Sequence, residues 1–372
     1  MIYFNNGATS WPKPSCVAEA VKKAIEDFPS SDHRSGVEEE EKYTCRDLLA
    51  KLLQVESSDS IVYGTNATFG LNLAIHGFDF QKGDKVLTTA AEHNSVLRPL
   101  YYLKQEGIIE YEILDVDNQG RINPELWEEK IKEMKPKMVV FTHASNVTGA
   151  VNDAETLAKI AKKYGAVVLL DASQSLGLID VLPEKWGIDM VAFTGHKYLL
   201  GPQGTGGLYV SKDIKLNPVL QGGVGILSDQ DTMPEFMPLR MEAGTPNGPS
   251  FKGLEAALRW ASQNPIDKSK IDKLIDKIKT ALKELGAYVV DVEGESTPVL
   301  SFTLPNMSAA EAGEDLQMGF EIVCRTGLHC APLIHKCIGT HPKGSIRISL
   351  SRFTTEEEVD YFIESVGKIV NG

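Results

Sequence analysis

The sequence predicts an α/β protein with a large domain on a mainly parallel sheet and a smaller α+β domain near its carboxyl end. Three observations predict it: short apolar runs from Ile61 to about Val210, amphipathic helices between them, and a change of pattern after about Gly253. Continuous runs are typical of strands covered on both faces, as in parallel sheets. We expect residues 1–15 to pack with the small domain, residues 16–253 to form the large domain and residues 254–372 to form the small one.

Composition narrows the classes of function. A chain of 372 residues with 42% hydrophobic content can bury a large core. Its formal charge of −13 argues against nucleic acid as a partner, since phosphate binding requires clustered Lys and Arg. The first residues lack a basic start before an apolar stretch, and no segment resembles a membrane span. We therefore expect a cytoplasmic protein that acts on small molecules or proteins, with its five cysteines as free thiols.

The apolar runs of the large domain are predicted strands, and helices connect them. The helix in "NPELWEEKIKEMK" is predicted to begin with Asn123 as N-cap and Pro124 at its first position. The helix in "DAETLAKIAKKYG" is predicted to end at Gly165 as C-cap. The predicted strands are "DKVLTTA", "PKMVVFTHA", "AVVLLDAS", "DMVAFTG" and "GGLYVS".

A long amphipathic helix begins the small domain and stops at Gly286. Its apolar positions at helical spacing are Ile271, Leu274, Ile275, Ile278, Leu282 and Leu285. Two alternating segments follow, "PVLSFTL" and "SIRISLS", and then a helix with an acidic start, "TTEEEVDYFIESVGKIV". The alternation predicts an antiparallel sheet with one face in water.

Chemistry is expected just beyond the predicted strands, because ligands of open α/β sheets bind at the carboxyl ends of the strands. A helix cap, a turn or a solvated side chain would explain each residue there singly. Together, a carboxylate, an amide, an imidazole, a lysine and the phosphate-binding turn in "VYGTNATFGLN" are the parts that hold pyridoxal phosphate. The residues at these strand ends are Glu92, His93, Asn146, Asp171, Gln174, Thr194, His196 and Lys197.

With these residues in place, the chain resembles the class V, fold-type I pyridoxal-phosphate enzymes, and among them the cysteine desulfurases and selenocysteine lyases. The resemblance covers essentially the whole chain. It depends on the combination of a lysine motif, a strand-end aspartate and a cysteine motif, because no single motif would suffice. The matching segments are "IYFNNGATSWPKP", "HASNVTG", "DASQSLG", "FTGHKYLLGPQG", "MEAGTPN" and "RTGLHCAP".

The resemblance implies a role for each matching residue. Lys197 would form the Schiff base with the cofactor, Asp171 would pair with the pyridine nitrogen, and His93 would stack on the ring. Gln174 would contact the ring hydroxyl, and Asn146 would face both that hydroxyl and the substrate. The implied phosphate ligands are Ala67, Thr68, Thr194 and His196, with Thr245 contributed by the second subunit of a homodimer.

The segment "CRTGLHCAPLIHKCIGTH" contains three cysteines and three histidines and fits three hypotheses. A metal site is the weakest of them, because the paired short spacings of structural zinc are missing, and we predict no metal. Idle thiols are expected at Cys324 and Cys337. Cys330 matches the desulfurase nucleophile, which must be a thiolate, and Arg325 and His329 are the candidate groups that stabilise it.

Two arginines are candidate substrate ligands. Arg347, in "GSIRISLS", matches the arginine that binds the substrate carboxylate, where a planar fork gives two-point contact. Its alternative is a surface arginine on an antiparallel strand. Arg325, in "RTG", is the second candidate.

The chain departs from the family pattern in three places. Asn66 and Ala67 stand in a turn that is Thr-rich in relatives, which predicts weaker or rearranged phosphate contacts. Leu328 replaces the first of two adjacent histidines, which leaves the stabilisation of the thiolate open. The run Glu38–Glu41 is either a solvated helix face or a feature that shapes the entrance or repels some sulfur acceptors.

The leading hypothesis is a homodimeric pyridoxal-phosphate enzyme that converts L-cysteine to L-alanine and leaves a persulfide on Cys330 for an acceptor protein. L-Selenocysteine is the nearest alternative substrate. One rival is another class V reaction, such as that of an aminotransferase or racemase, in which Cys330 has no chemical role. Another is a cofactor-binding regulatory or scaffold protein, which the full catalytic set disfavours.

Overall fold

The computed structural model describes residues 1–27 and 44–371. The strands are β1 (Ile2–Tyr3), β2 (Ile61–Gly64), β3 (Asp84–Thr89), β4 (Ile109–Leu114), β5 (Met138–Thr142), β6 (Val167–Asp171), β7 (Met190–Thr194), β8 (Gly206–Val210), β9 (Tyr288–Val289), β10 (Val299–Thr303), β11 (Ile322–Val323), β12 (Arg325–Gly327) and β13 (Ser345–Ser349). The helices are α1 (Ser15–Glu26), α2 (Cys45–Leu53), α3 (Ala67–Gly77), α4 (Asn94–Gln105), α5 (Pro124–Met134), α6 (Ala154–Lys163), α7 (Pro183–Trp186), α8 (Gly248–Gln263), α9 (Lys268–Glu284), α10 (Ala309–Phe320), α11 (Ile334–Cys337) and α12 (Glu356–Asn371).

The large sheet has the strand order β2-β8-β7-β6-β5-β3-β4. Strands β3 to β7 pair in parallel, and β8 runs antiparallel to both of its neighbours, so the predicted fold class is confirmed. The four central strands β5 to β8 are buried almost throughout, which explains their continuous apolar runs. Strand β4 lies at the edge and is largely exposed, so its mixed sequence "IEYEIL" gave no such run and was not predicted.

The predicted helix ends agree closely with the structure. The side chain of Asn123 accepts from the N–H groups of Glu125 and Leu126, and Pro124 is the first residue of α5. Helix α6 ends at Lys163 with Tyr164 as its cap, so the predicted cap at Gly165 is one residue too late. Gly165 has a φ of 79° and occupies the next position, where glycine is favoured.

The small sheet, β12-β13-β10-β9, is antiparallel as predicted, but the prediction that one face lies in water is wrong. On one face, Ile346 and Ile348 join the core beneath the helices. On the other, Ser301 Oγ donates to the Val147 carbonyl at 2.6 Å, and Arg347 Nη1 donates to the Asn146 carbonyl at 2.9 Å. The polar residues of the alternating strands therefore face the large sheet's loops instead of solvent.

The N-terminal segment contacts both sheets. Strand β1 pairs in parallel with β11, and the Gly7 N–H donates to Ser349 Oγ at 2.7 Å. In the other direction, Gln174 Nε2 donates to the Gly7 carbonyl at 2.9 Å, and the Ser10 N–H donates to the His196 carbonyl at 2.9 Å. The segment thus connects the small sheet to the strand ends of the large one.

Two further predictions are not decided by the fold. The domain boundary at residues 253 and 254 falls inside α8, which packs against α1, so the division into domains stays a prediction. The run Glu38–Glu41 lies outside the described residues. Among the helices that are described, none combines the length and apolar character needed to cross a bilayer.

Candidate active site

Lys197 lies in a tight turn that follows β7 at the carboxyl edge of the large sheet. Within this turn, a Cβ on Gly195 would lie 2.2 Å from Thr205 Oγ1, so only glycine fits there. The Gly195 N–H donates to the Thr205 carbonyl, and the Gly201 N–H donates to the Gly195 carbonyl, each at 2.8 Å. These contacts hold Lys197 at the cavity, where burial lowers the pKa of its amine to about 8.

The cavity has a volume of about 260 Å³, close to the lower end of the range for small-molecule sites. It collects side chains from the ends of several strands of the large sheet and from the small sheet. The predicted site residues that line it are Ala67, Thr68, His93, Asn146, Asp171, Gln174, Thr194, His196, Lys197, Arg325 and Arg347. Sequence reasoning therefore identified most of the cavity wall.

Asp171 ends β6 and faces the same cavity as Lys197. The N–H of Ser173 donates to Asp171 Oδ1 at 2.9 Å, and the Ser173 hydroxyl donates to the same oxygen. Both contacts orient the carboxylate while ending on one oxygen. The second oxygen is thereby suited to a protonated ring nitrogen, the partner that pyridoxal phosphate would present.

The amino end of α3 forms the phosphate-binding turn. Asn66 caps the helix by accepting from the Phe69 N–H at 3.0 Å, and the N–H groups of Ala67 and Thr68 have no earlier helical carbonyl to bind. Such a helix end favours an anion. The replacement of threonine by Asn66 therefore supplies a cap and keeps the backbone donors.

Several buried polar atoms of the cavity wall have no partner among the described residues: Gln174 Oε1, Thr194 Oγ1 and His196 Nδ1. Buried polar groups are nearly always paired, so these atoms indicate a bound group. A hydroxyl and an imidazole nitrogen beside the start of α3 fit a phosphate, and an amide oxygen fits a ring hydroxyl. The residues present thus fit pyridoxal phosphate.

His93 is held as a neutral imidazole. Its Nδ1 accepts from the Ser95 N–H at 3.1 Å, which places the ring proton on Nε2, and burial lowers the pKa of the ring to about 4. The Ser95 hydroxyl lies 2.7 Å from this Nδ1 and 2.8 Å from Thr68 Oγ1. Ser95 therefore connects the predicted ring-stacking residue to the phosphate turn. Sequence reasoning missed it, and its place two residues after His93 at a helix start was the available signal.

Cys330 lies in a short loop after β12. Arg325 Nη2 donates to its Sγ at 2.9 Å, so a guanidinium lies beside the sulfur. The loop is held on two sides: the Asn94 N–H donates to the Cys330 carbonyl, and Asn146 Nδ2 donates to the His329 carbonyl, each at 2.7 Å. His329 and Cys330 both have positive φ, 50° and 59°, which these contacts maintain against the usual backbone preference.

The surroundings of His329 do not favour a charged imidazole, and its role in stabilising the thiolate stays a prediction. Its Nε2 lies 3.1 Å from the Ser345 carbonyl and 3.0 Å from Ser345 Oγ, and burial lowers the pKa of the ring to about 2. The imidazole is therefore neutral, and it connects the loop of Cys330 to Ser345 at the start of β13. The cation beside Cys330 is Arg325, the other candidate.

The remaining cysteines are poor nucleophiles. All five are free thiols. Burial raises the pKa of Cys45 to about 12 and that of Cys324 to about 11, and it raises the pKa values of Cys16 and Cys337 as well. In the described parts of the chain, no group of three or more His, Cys, Asp or Glu side chains is placed to hold a metal ion.

Arg347 is 1% exposed, so the alternative of a surface arginine is wrong. Its Nη1 donates to the Asn146 carbonyl at 2.9 Å and its Nη2 to Asn5 Oδ1 at 3.0 Å. Both acceptors are neutral oxygens, and burial lowers the pKa of Arg347 to about 10. A buried arginine held only by neutral oxygens suits an incoming carboxylate. Asn5 was not singled out, and its only sequence signal was the quoted "NNGA" segment.

Thr245 lies in an exposed segment and does not line the cavity of the single chain. Its predicted contact is with a second subunit, and that contact stays a prediction.

Comparison with known proteins gives a consistent result. The family model for aminotransferase class-V matches residues 2–362. A probable cysteine desulfurase of Pyrococcus abyssi is 32% identical over 100% of this chain and 94% of its own, and one of Methanothermobacter thermautotrophicus is 31% identical over 98% and 94%. The solved apo structure of a cysteine desulfurase from Thermococcus onnurineus is 30% identical, with a TM-score of 0.88 over 100% of this chain and 95% of that one.

Proposed function

The chain belongs to the aminotransferase class-V family, whose members depend on pyridoxal phosphate, and from that premise we propose that it removes sulfur from L-cysteine and leaves L-alanine. We assign the sulfur-accepting role to Cys330. The observation that carries this assignment is the contact from Arg325 Nη2 to Cys330 Sγ at 2.9 Å. Arg325 also lines the cavity, so it joins the reactive sulfur to the place where the substrate would lie.

Bound pyridoxal phosphate supplies an electron sink for carbanion chemistry at the substrate Cα. Asp171, oriented by Ser173, would hold the ring nitrogen in its protonated form. Lys197 would attach the cofactor and, once displaced by the substrate amine, move the Cα proton. With a pKa of about 8, its amine accepts and returns a proton near neutral pH.

Arg347 would bind the substrate carboxylate, since its buried guanidinium has donors beyond the two that it gives to Asn146 and Asn5. This contact would fix the position of the substrate's side chain. Asn146 takes part twice, because its carbonyl holds Arg347 and its side chain holds the loop of Cys330. Substrate binding and the position of the nucleophile are thereby coupled through one residue.

The sulfur step requires no external oxidant. The Cys330 thiolate attacks the substrate sulfur, a new S–S bond forms, and the Cβ–S bond breaks. The electron pair of that bond goes to Cβ, which takes up a proton and becomes the methyl group of alanine. The products are alanine and a persulfide on Cys330, and an acceptor protein would then take the outer sulfur.

Replacement of the thiol tests the proposal. We expect Cys330→Ala to bind cofactor normally but to release alanine from L-cysteine at least about 100-fold more slowly, because the sulfur has no acceptor. Cys324→Ala, whose thiol has a raised pKa, is the matched control and should keep wild-type activity. The measurements are alanine release and the mass of the Cys330 peptide after cysteine treatment, which should gain one sulfur in the wild type.

Alanine release by Cys330→Ala at the wild-type rate would make the thiol a bystander and favour another class V reaction. L-Selenocysteine distinguishes the nearest alternative, because selenolate is a better leaving group and departs without a thiol. Activity that survives on selenocysteine alone therefore supports a sulfur-accepting role for Cys330. If Cys330→Ala is equally active on L-cysteine and L-selenocysteine, that role is contradicted.

We further propose a homodimer in which Thr245 contacts the partner's phosphate group. The exposure of Thr245 supports this arrangement.

A further inference from the structure

A groove of about 490 Å³ lies outside the cofactor cavity and ends at Cys330. The two spaces share Thr68, His93 and Ser95 as a common wall, but Cys330 lines the groove and does not line the cavity. Arg325, on the cavity side, contacts the sulfur. The thiol thus faces the groove, and Arg325 connects it to the cavity.

The charge of the groove is opposite to that of the protein. The chain has 51 Asp and Glu residues and a net charge of −13, yet no carboxylate is present among the described residues that line the groove. Arg98 is its charged residue and is exposed. Burial lowers the pKa values of His76 and His93, so both imidazoles are neutral and leave the guanidinium as the charge that a ligand meets.

The size of the groove fits a small molecule. Its volume of about 490 Å³ lies within the usual range for small-molecule sites. Asn72 and Asn94 add amide groups to the wall, and Asn94 also holds the Cys330 carbonyl through its N–H at 2.7 Å. A ligand in the groove would therefore find a cation, neutral polar groups and a sulfur at the inner end.

We propose that the groove binds a small thiol that carries a carboxylate, and that this thiol takes sulfur from Cys330. The inference rests on the proposed function, which supplies the persulfide. In the transfer, the acceptor's thiolate attacks the outer sulfur of the Cys330 persulfide. A new S–S bond forms on the acceptor, the old S–S bond breaks, and Cys330 leaves as a thiolate, so atoms and electrons balance without an oxidant.

Alkylation of Cys330 tests the groove without any need for turnover. The probes are iodoacetate, which is anionic, and iodoacetamide, which is neutral, and the readout is the ratio of their rates at the Cys330 peptide by mass spectrometry. We expect Arg98→Glu to lower this ratio by about five- to tenfold at low salt, and the difference to shrink at 1 M salt. Arg98→Lys keeps the charge and should keep the ratio.

Lys104→Glu is the matched control, because it makes the same charge change on α4 outside the groove. Its ratio should equal that of the wild type. An equal ratio in wild type and Arg98→Glu would overturn the proposed site. So would an equal decrease in Lys104→Glu, because the effect would then come from net charge alone.

Discharge of the persulfide tests the acceptor. The wild-type protein is loaded with L-cysteine, desalted, and treated with mercaptosuccinate or 2-mercaptoethanol, and persulfide loss is followed on the Cys330 peptide. We expect mercaptosuccinate to act about fivefold faster after correction for thiolate fraction, and Arg98→Glu to remove this advantage while loading normally. Equal discharge by both thiols would overturn the acceptor assignment alone. Absence of any persulfide would overturn the proposed function, and with it the acceptor.

Discussion

The two halves of the active site are built in different ways. The cofactor half, formed by the strand ends of the large sheet, keeps polar atoms without partners, as at Gln174 Oε1 and Thr194 Oγ1. In the sulfur half, formed by β12, β13 and the loop of Cys330, both arginines already have partners, although Arg347 Nε and His329 Nδ1 have none among the described residues. There Arg325 binds the sulfur and Arg347 binds the Asn146 carbonyl and Asn5. The cofactor half therefore offers unpaired polar atoms to its ligand, whereas in the sulfur half a substrate meets arginines that already hold other groups.

This difference between the two halves affects the free energy of binding the cofactor and the substrate. A cavity with unpaired donors and acceptors gains hydrogen bonds from its ligand at little cost in rearrangement. A paired network gains only the difference between old and new contacts. We therefore expect retention of the cofactor to be strong and binding of the substrate to be more sensitive to single replacements in the network.

Removal of Lys197 should have the largest effect on activity, and it changes only the cofactor half. We expect Lys197→Ala to lose the covalent bond to the cofactor and at least about 10³-fold in activity, since the group that moves the proton is gone. The measurements are the visible absorption band, borohydride-dependent labelling and alanine release. Thermal unfolding serves as the control and should stay close to that of the wild type. Labelling that persists at the same site in the variant would remove Lys197 from its assigned role.

Loss of the buried Arg347 should have the second-largest effect, and it changes the sulfur half. We expect Arg347→Ala to raise the KM for cysteine by the equivalent of about 2–5 kcal/mol, the usual cost of truncating one member of a buried charged pair. Arg347→Lys should recover little, because an ammonium lacks the planar fork. Steady-state kinetics measure both, and the visible band should remain in each variant. An unchanged KM would separate Arg347 from the substrate and leave it only a structural part in the network.

A smaller effect would show whether the two halves are coupled. Burial lowers the pKa of Lys197, and the charges of Arg347 and Arg325 lower it further against the opposing effect of Asp171. Only the uncharged amine attacks an aldehyde, so attachment of pyridoxal phosphate to the cofactor-free protein should accelerate as pH rises and level off above about 8. In Arg325→Gln the levelling point should move to higher pH. Stopped-flow absorbance across pH 6–10 measures it, and an unmoved profile would mean that the halves act independently.

The cofactor half could be predicted because its logic is local. Strands β5, β6 and β7 are buried along their length, so their apolar runs mark their ends, and chemistry follows each end directly in the sequence, as at Asp171 and Lys197. The general rule for open α/β sheets then places these side chains together. Strand β4 was not predicted because an edge strand need not be apolar on both faces.

The sulfur half could be predicted only in part, because its contacts are between distant segments. The alternation in "SIRISLS" identified an antiparallel strand correctly, but nothing local shows that its polar face meets protein instead of water. The neutral state of His329 likewise depends on its burial against Ser345, which lies 16 residues away. The sequence motif identified the candidate residues, but the charge state of His329 follows only from its burial in the fold.

Ser349 receives the Gly7 N–H across a separation of 342 residues, and the Asn5 side chain, which holds Arg347, belongs to the same N-terminal segment. Asn5, on one side of the substrate site, is therefore synthesised near the start of translation, and its partner Arg347 near the end. The cofactor half, from Asn66 to β8, is synthesised well before that. The substrate wall that Asn5 and Arg347 form together therefore cannot exist until β13 has been synthesised.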